Sequence, residues 1–589
     1  MRTTRLTLTL ATLSTLVLAG PAGANTWTTS NWTQGIAGDY NWGDTANWDA
    51  NGVPDGSADA ASFTSNTGFL ATGAFNLNVG SPITLAALYS NKTTGVNSSA
   101  AITLSGSDIT FNNTTTNNAG NNNYDRPLIQ VLSQAPSLII NNNVTNLDSL
   151  PMTFSGYGSL KVNGAITSAT GIAVPVGGVW LGSASNSISG VTLSGGQSAS
   201  LVAANTGAFG GITGTLSFAA AWGGNLITAV TGTTTFGAAL DLGDSTYTAS
   251  NQTGAISFNS FGSGSVLDIT TNSIINTGGT GNININRAAN ASGVGSTKFS
   301  GTGFTIAKNV VGGVNTAGLE FAPASGTQTW SGNITGFGGS SVTKSGNGTV
   351  ILSGSNNYSV QTHITGGTLL VNGTNSSPGG GMNNVATGNF QVESGATLGG
   401  TGRIAVSTTN IGSTSNNAIL VTSGGTLSPG SNGIGTITLD ATGFQPVSGS
   451  GVNHYLNMAS GAAFNFDLDG SGGTPDQIAL WSYRNSGNRS DLFLNSNALN
   501  LDLVGTQTPG TYTVNLINFY SDSGLTATAS GLSSGLSLGT LGAGIESASI
   551  LYNTDSIGLQ YTVAAIPEPA SLALLAVGGL LMVPRKRRP

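Results

Sequence analysis

The chain of 589 residues is poor in reactive side chains. It has no cysteine and two histidines, and only 7% of its residues are charged, against about 25% in an ordinary globular chain. The lack of cysteine excludes disulfides, thiolate zinc sites and cysteine nucleophiles. Two histidines leave almost no room for a multi-histidine metal site. Hydrophobic residues still make up 38%, so the chain can bury a core and is not expected to be disordered.

Glycine, in contrast, is abundant, with 89 residues. The glycines follow no three-residue period, which excludes collagen. Short alternating runs of Val, Ile, Leu, Thr and Phe, such as residues 102–104 and 349–352, are bounded by Gly, Asn and Ser. Period-2 patterning predicts β-strands, and glycine adopts positive φ at turns without steric cost. The sequence therefore predicts an all-β protein.

The length favours one all-β architecture over the others. The body of about 540 residues exceeds the roughly 250 that a sandwich reaches as one domain. Strands without a clear break predict a right-handed parallel β-helix, or β-solenoid, in which each coil buries its face on the next. We expect coils of about 20–25 residues spaced about 4.8 Å apart, with degenerate coils over residues 66–341.

The first 24 residues, 1–24, have the order of a secretory signal peptide. Arg2 and Arg5 precede an apolar run, and a small-residue stretch follows. Ala22 and Ala24 supply the residues expected at the cleavage site. The sequence therefore predicts export.

The last residues, 565–589, carry a second sorting pattern. Pro567, Glu568 and Pro569 precede an apolar run shorter than the roughly 20 residues that span a bilayer, and a basic tail follows, made of Arg585, Lys586, Arg587 and Arg588. This order resembles the PEP-CTERM sorting signal of Gram-negative bacteria. The resemblance implies a C-terminal transmembrane sorting helix that anchors the chain transiently, and processing by an exosortase-type protease. A plain membrane anchor is the alternative.

Removal of both ends changes the charge of the remaining body. Residues 25–566 hold ten Lys/Arg and 22 Asp/Glu, so their net charge is −12 rather than the −7 of the whole chain. The body has no basic patch that would neutralise phosphates. Nucleic acid is therefore not an expected partner.

A repeat is most evident over residues 342–440. Residues 343–358 contain the pattern K-x-G-x-G-T-x-x-L-S-G-x-N-x-Y, and residues 366–373 read GGTLLVNG. This resembles the autotransporter-associated β-strand repeat, also called the passenger-associated transport repeat. The resemblance implies a β-helix and an outward His363, at a position where the repeat usually has threonine.

Terminal caps are expected on both sides of the coils, because an open end would expose strand edges. Residues 441–564 are predicted to form the C-terminal β cap. Residues 25–65 are predicted to form an N-terminal cap rich in tryptophan. In this cap, Trp32, Trp42 and Trp48 fit two interpretations: an aromatic plug over the first coil, which we favour, or a surface that stacks on sugar rings.

The densest carboxylate group is Asp467, Asp469 and Asp476. Its spacing is similar to part of a calcium loop, but the EF-hand pattern requires a glutamate where Ile478 stands. Paired carboxylates also hydrolyse glycosides. The favoured interpretation is a solvated turn, with calcium binding as an alternative and with no metal, cofactor or catalytic residue assigned.

These features together predict a secreted, non-enzymatic surface or extracellular-matrix structural protein of a Gram-negative bacterium. The PEP-CTERM resemblance implies association with exopolysaccharide and biofilm. A carbohydrate-binding adhesin is the first alternative, and a β-helix polysaccharide lyase or glycosidase is the second.

Overall fold

A computed structural model describes most of the body of the chain. The described residues are 28–65, 72–92, 97–113, 126–194, 199–218, 224–243, 256–261, 264–275, 281–287, 295–312, 318–337, 341–358, 360–378, 390–407, 417–442, 453–481, 485–486, 489–520 and 535–565. They contain 54 β-strands and one 3-10 helix of three residues, Thr45–Asn47. The prediction of an all-β protein is therefore confirmed.

The first third of the chain forms short strands. In chain order they are β1 (Thr28–Asn31), β2 (Gly38–Asn41), β3 (Gly56–Ser65), β4 (Ala74–Val79), β5 (Ile83–Lys92), β6 (Ala101–Gly106), β7 (Ile109–Phe111), β8 (Leu128–Val131), β9 (Ser137–Ile140), β10 (Val144–Asn146), β11 (Met152–Ser155), β12 (Ser159–Val162), β13 (Ile166–Ser168), β14 (Ile172–Val174), β15 (Gly178–Leu181), β16 (Ser187–Ile188), β17 (Val191–Leu193) and β18 (Ser200–Ala203).

The middle third continues in the same way. Its strands are β19 (Leu216–Phe218), β20 (Gly224–Thr228), β21 (Gly232–Phe236), β22 (Leu240–Asp241), β23 (Ile256–Ser260), β24 (Ser265–Ile269), β25 (Ile274–Ile275), β26 (Asn282–Arg287), β27 (Ser296–Phe299), β28 (Phe304–Ile306), β29 (Asn309–Gly312), β30 (Gly318–Phe321), β31 (Thr327–Trp330), β32 (Ile334–Thr335), β33 (Val342–Lys344), β34 (Thr349–Leu352), β35 (Ser355–Asn356) and β36 (Thr362–Ile364).

The strands become longer towards the C-terminal end. They are β37 (Gly367–Val371), β38 (Thr374–Pro378), β39 (Phe390–Val392), β40 (Ala396–Gly400), β41 (Arg403–Ser407), β42 (Asn417–Val421), β43 (Thr426–Pro429), β44 (Thr436–Asp440), β45 (Asn453–Met458), β46 (Ala463–Asp469), β47 (Gln477–Trp481), β48 (Asn485–Ser486), β49 (Arg489–Phe493), β50 (Asn497–Val504), β51 (Gly510–Tyr520), β52 (Leu536–Leu541), β53 (Ile545–Tyr552) and β54 (Ser556–Val563).

The pairing of these strands defines a three-sided parallel coil. Strands three apart in sequence pair in parallel through most of the chain, so that β33, β36 and β39 lie side by side, as do β34, β37 and β40, and β35, β38 and β41. The described residues form five sheets, of 14, 12, 11, 9 and 8 strands. Each turn of the coil thus contributes one strand to each side, which confirms the predicted β-helix. The right-handed sense of the coil stays a prediction.

The coils differ in length more than the sequence suggested. Leu160 pairs with Val179, 19 positions later, whereas Ile419 pairs with Leu456, 37 positions later. The expected 20–25 residues therefore describe only part of the chain. Along one side, the 12-stranded sheet is continued by six parallel strands of the eight-stranded sheet through a bridge between Thr335 and Asn357. At about 4.8 Å per coil, these strands extend for about 80 Å.

The core consists of inward side chains stacked in register. In the 11-stranded sheet one inward column passes through seven consecutive coils, and each member is at most 1% exposed: Leu319, Val342, Thr362, Phe390, Ile419, Leu456 and Leu492. Each fully buried aliphatic side chain contributes about 1.5–3 kcal/mol. The stack thereby joins most described coils into one hydrophobic cluster.

The parallel ladder ends later than the boundary predicted at residue 441. Parallel pairing continues through β49, β50 and β51, and in the nine-stranded sheet β50 also pairs in parallel with β52, up to Leu541. The eight-stranded sheet then closes with an antiparallel hairpin of β53 and β54, in which β54 pairs with β51. This hairpin covers the strand edge that the last coil would otherwise expose. Among the described residues, the structure contains no helix of the length and apolarity needed to cross a bilayer.

Candidate functional site

The tryptophans of the N-terminal segment form a buried aromatic cluster around Phe63. Trp32, Trp42 and Trp48 are at most 4% exposed, and their ring centroids lie 5.7, 6.3 and 5.9 Å from that of Phe63. Each indole N–H donates to a backbone carbonyl, at Gln34, Pro54 and Trp42 respectively. The alternative in which these three tryptophans stack on sugars is wrong, because buried rings present no free face. They pack as an aromatic plug beneath the first coils.

The three predicted calcium or catalytic carboxylates lie in different environments. Asp476 is 1% exposed, whereas Asp467 and Asp469 lie on the outer surface of β46. The Asp476 Oδ1 accepts from the Gly435 N–H at 2.7 Å, and its Oδ2 accepts from the Asp467 N–H at 2.9 Å. The solvated-turn interpretation is therefore wrong for Asp476, whose carboxyl joins two adjacent coils.

The pKa directions of these carboxyls follow from the same contacts. Burial raises the pKa of Asp476 to about 7, although the two backbone donors oppose the shift. Burial and the neighbouring Asp502 raise the pKa of Asp467, whereas hydrogen bonds from Ser471 lower the pKa of Asp469. No group of three or more His, Cys, Asp or Glu residues in the described ranges is arranged to hold a metal ion. Calcium binding at these carboxyls stays an alternative prediction.

The lysine of the repeat motif has a structural position inside the coil. Lys344 is 1% exposed, and its Nζ donates to the carbonyls of Ser345, Gly346 and Gly366 at 2.7, 2.9 and 2.8 Å. Burial lowers its pKa to about 8. The ammonium group thus joins equivalent turns of two consecutive coils, which explains why this motif begins with a lysine.

Two glycines of the motif are required by the close approach of these turns. Gly346 and Gly367 have φ of 70° and 60°. A Cβ on Gly346 would lie 2.5 Å from the Pro323 carbonyl oxygen, and one on Gly367 would collide with that of Gly348. Only glycine combines this conformation with the space that stacked turns leave.

A polar column runs along the outer surface of the 11-stranded sheet. Asp268, Lys298, Glu320, Thr343 and His363 occupy successive register positions. Lys298 Nζ lies 3.8 Å from Asp268 Oδ2. Burial raises the pKa of Asp268, although hydrogen bonding to Ser300 and the charge of Lys298 act in the opposite direction. The column thus places three charged side chains, Asp268, Lys298 and Glu320, on consecutive coils of one face.

At the end of this column His363 forms a partly exposed pair with a carboxylate. Its Nε2 lies 2.9 Å from Glu393 Oε1, and the same oxygen accepts from the Gln391 amide. Gln361 donates to Gln391 at 3.0 Å. His363 therefore faces outward, as the repeat predicts, and belongs to a hydrogen-bonded surface network.

An aromatic pair that was not among the candidates from the sequence lies on the outer surface of the eight-stranded sheet. Trp481 and Tyr520 are paired in register on β47 and β51. Their ring centroids are 4.8 Å apart with an interplanar angle of 16°, and the two residues are 43% and 40% exposed. The outward phase could have been inferred, because in residues 477–481 Trp481 is offset by an odd number of positions from the apolar Ile478 and Leu480.

An ion pair lies next to this aromatic pair. Asp440 is in register with Trp481, and the Arg403 Nε donates to its Oδ2 at 2.9 Å, with a second bond from Nη2. Burial alone would raise the pKa of Asp440, but hydrogen bonds from Thr442 and Arg403 outweigh it and hold the pKa below its ordinary value. Asp440, Trp481 and Tyr520 thus form one outward row across three coils.

The predicted sorting residues lie outside the described residues. These are the signal-peptide positions Ala22 and Ala24, the motif Pro567, Glu568 and Pro569, and the basic tail Arg585, Lys586, Arg587 and Arg588. Their roles stay predictions.

Comparison with known proteins finds similarity to adhesins. No protein-family model matches the chain. A stretch of 116 residues, 20% of the chain, is 35% identical to the adhesin BmaC autotransporter of Brucella suis biovar 1 (strain 1330), and it spans 3% of that protein's length. The crystal structure of the Haemophilus influenzae Hap adhesin aligns with 85% of this chain and 64% of that chain, at 12% identity and a TM-score of 0.17. The BmaC stretch supports the autotransporter-type repeat.

Proposed function

We propose that the chain is a secreted, non-enzymatic structural protein of the cell surface or extracellular matrix of a Gram-negative bacterium. In this proposal an exosortase-type protease processes a PEP-CTERM signal after transient anchoring in the inner membrane. The product then associates with exopolysaccharide in a biofilm.

The observation that carries the proposal is the continuous parallel ladder. Stacked coils from β2 to β51 bury aliphatic columns inside and present Asn, Thr, Ser and Gly outside. Such a stack holds its surface at a fixed spacing over about 80 Å. An extended scaffold of this kind suits a protein that presents binding surfaces away from the cell.

The first alternative is a carbohydrate-binding adhesin. The similarity to the BmaC adhesin favours an adhesin and says nothing of its ligand. The two functions are compatible, since an adhesin is a scaffold with a binding surface. A polysaccharide lyase or glycosidase is the second alternative. It predicts that the purified protein cleaves a glycan and that Asp467→Asn or Asp476→Asn abolishes the cleavage.

Cell fractionation tests the sorting part of the proposal. A tag within the body follows the wild-type chain and a variant with Pro567, Glu568 and Pro569 all changed to alanine. We expect wild type in the surface or matrix fraction, and the variant retained in the inner membrane. Glu546→Ala, an exposed carboxylate of β53, is the matched control and should behave as wild type.

The same fractionation in cells without the processing protease completes the test. We expect the wild-type chain to be retained there as the triple variant is in normal cells. The proposal fails if the triple variant reaches the surface as wild type does, or if wild type stays in the cytoplasm.

A further inference from the structure

We propose that Trp481 and Tyr520, with the adjacent Arg403–Asp440 pair, form a binding subsite for a neutral glycan on the outer surface of the eight-stranded sheet. This inference rests on the proposed function, because it assigns a place and a ligand class to the contact with polysaccharide. The proposed subsite takes the place of the N-terminal tryptophans as the candidate glycan-binding surface, because those tryptophans are buried.

Trp481 and Tyr520 are exposed side chains on strands that are paired in register. Trp481 and Tyr520 end the outward rows of two paired strands, and their flanking inward residues Leu480 and Phe519 are 1% and 4% exposed. The paired backbone therefore fixes where both side chains leave the sheet, while about two-fifths of each residue stays exposed. Large rigid rings of this kind lose little conformational freedom on binding.

The two exposed rings also carry polar groups that can bind a ligand. Within the described ranges, neither the Trp481 indole N–H nor the Tyr520 hydroxyl has a protein hydrogen-bond partner, whereas the indoles of the buried N-terminal cluster are all bonded. Tyrosine and tryptophan combine an apolar ring with a polar group. A sugar presents C–H groups on its face and hydroxyls at its rim, so it matches both parts of this surface.

The charges around the two rings favour a neutral ligand. The Arg403 guanidinium is already paired with Asp440, so the two charges beside the rings cancel. The body has a net charge of −12, which disfavours an acidic polymer at long range. The guanidinium N–H groups that do not contact Asp440 can still donate to sugar hydroxyls, since the Arg403 side chain is 49% exposed.

The exposed area of the Trp481–Tyr520 pair favours a glycan over a protein as the ligand. Two aromatic side chains exposed to about two-fifths offer roughly 200 Å² in total. A stable protein interface requires about 800 Å² on each partner. A patch of this size fits one or two sugar units, and repetition along a polymer would add further contacts.

The test measures binding of named probes to the full-length protein in mild detergent. Cellohexaose and dextran are the neutral glycan probes, and alginate is the acidic probe. Trp481→Ala and Tyr520→Ala remove one ring each, and Trp481→Phe keeps an aromatic ring. Trp180→Ala is the matched control, because Trp180 is an outward tryptophan of the 12-stranded sheet with 37% exposure and no stacked ring among the described residues.

We expect Trp481→Ala to weaken binding of a neutral probe about tenfold or more, Tyr520→Ala to weaken it less, and Trp481→Phe to restore part of the loss. Trp180→Ala should bind as wild type. Thermal unfolding of each variant identifies any loss of glycan binding that comes from misfolding. If Trp481→Ala is misfolded, binding by Trp481→Phe tests whether the ring contributes to the subsite.

Three results would overturn the subsite. They are equal losses in Trp481→Ala and Trp180→Ala, no neutral probe bound by the wild type, or preferential, salt-sensitive binding of alginate that Trp481→Ala leaves unchanged. None of these results touches the sorting experiment, so correct surface location with unchanged glycan binding in Trp481→Ala refutes the subsite alone.

Discussion

The carboxyl of Asp476 makes stability depend on pH in a direction opposite to that of an ordinary paired carboxylate. Burial raises its pKa in the folded chain to about 7, from an ordinary value of 3.8. A group with a raised folded pKa contributes stability that is fully present below its unfolded pKa and is lost as the pH rises to the folded pKa. The carboxyl therefore stabilises the fold less at pH 8 than at pH 4.

The magnitude follows from the difference in pKa. One pKa unit corresponds to 1.36 kcal/mol, so the full effect is about 4 kcal/mol, and about 3 kcal/mol falls between pH 4.5 and pH 8.5. In Asp476→Asn the side chain keeps its size but does not titrate. Its amide oxygen can accept from only one of the Gly435 and Asp467 N–H groups, and its N–H₂ accepts from neither, so we expect the variant to be less stable than wild type at pH 4.5.

The assay compares wild type and Asp476→Asn across this pH range. The free energy of unfolding comes from urea titrations, and hydrogen exchange at the Gly435 and Asp467 amides reports the local contact. The advantage of wild type should shrink by about 3 kcal/mol as the pH rises. In the control Asp469→Asn, the exposed carboxyl has a lowered pKa, so the small change should have the opposite sign. A wild-type advantage that is constant from pH 4.5 to pH 8.5 would refute the reasoning.

Three further predictions concern the architecture. Lys344→Met should lower the free energy of unfolding by about 3 kcal/mol, because three carbonyls lose their donor, and urea titration measures the loss. Trp48→Ala should cost about 3–5 kcal/mol by opening a cavity beside Phe63, and limited proteolysis should then cut the N-terminal segment first. Gly367→Ala should destabilise more than Gly395→Ala, since a Cβ meets backbone only at Gly367, and parallel thermal melts compare the two.

The fold was predictable where neighbouring residues carry the information. Alternation in residues 349–352 and 102–104 corresponds to strand β34 and to part of strand β6. The glycines of the repeat mark turns where Gly346 and Gly367 have positive φ. Period-2 patterning and turn chemistry are local properties, so a single sequence suffices to recognise them.

Burial of polar and aromatic groups was not predictable, because it depends on contacts between distant parts of the chain. Trp32 is covered through its antiparallel bridge with Trp48, and the carboxyl of Asp476 reaches Gly435, 41 positions earlier. The sequence around Asp476 is rich in glycine and serine, as a solvated turn would be. Only the stacking of the two coils shows that this carboxyl is inside.

The unequal coil lengths explain why neither the number of coils nor the pairing of Trp481 with Tyr520 could be inferred. Ile419 and Leu456 are 37 positions apart, yet they pair in parallel register just as Leu160 and Val179 do, which are 19 positions apart. Doubling a loop costs only about 0.6 kcal/mol, so insertions between strands leave the register intact while they erase the sequence period.

The same tolerance lets the outer surface change without cost to the stack. Because inward columns hold the coils together, outward positions such as those of Trp481 and Tyr520 are free to carry large exposed rings. An outward substitution therefore costs little stability, whereas an inward one opens a cavity. Within such a coil, exposed aromatic residues in register are a better guide to a binding surface than the tryptophan count of a segment.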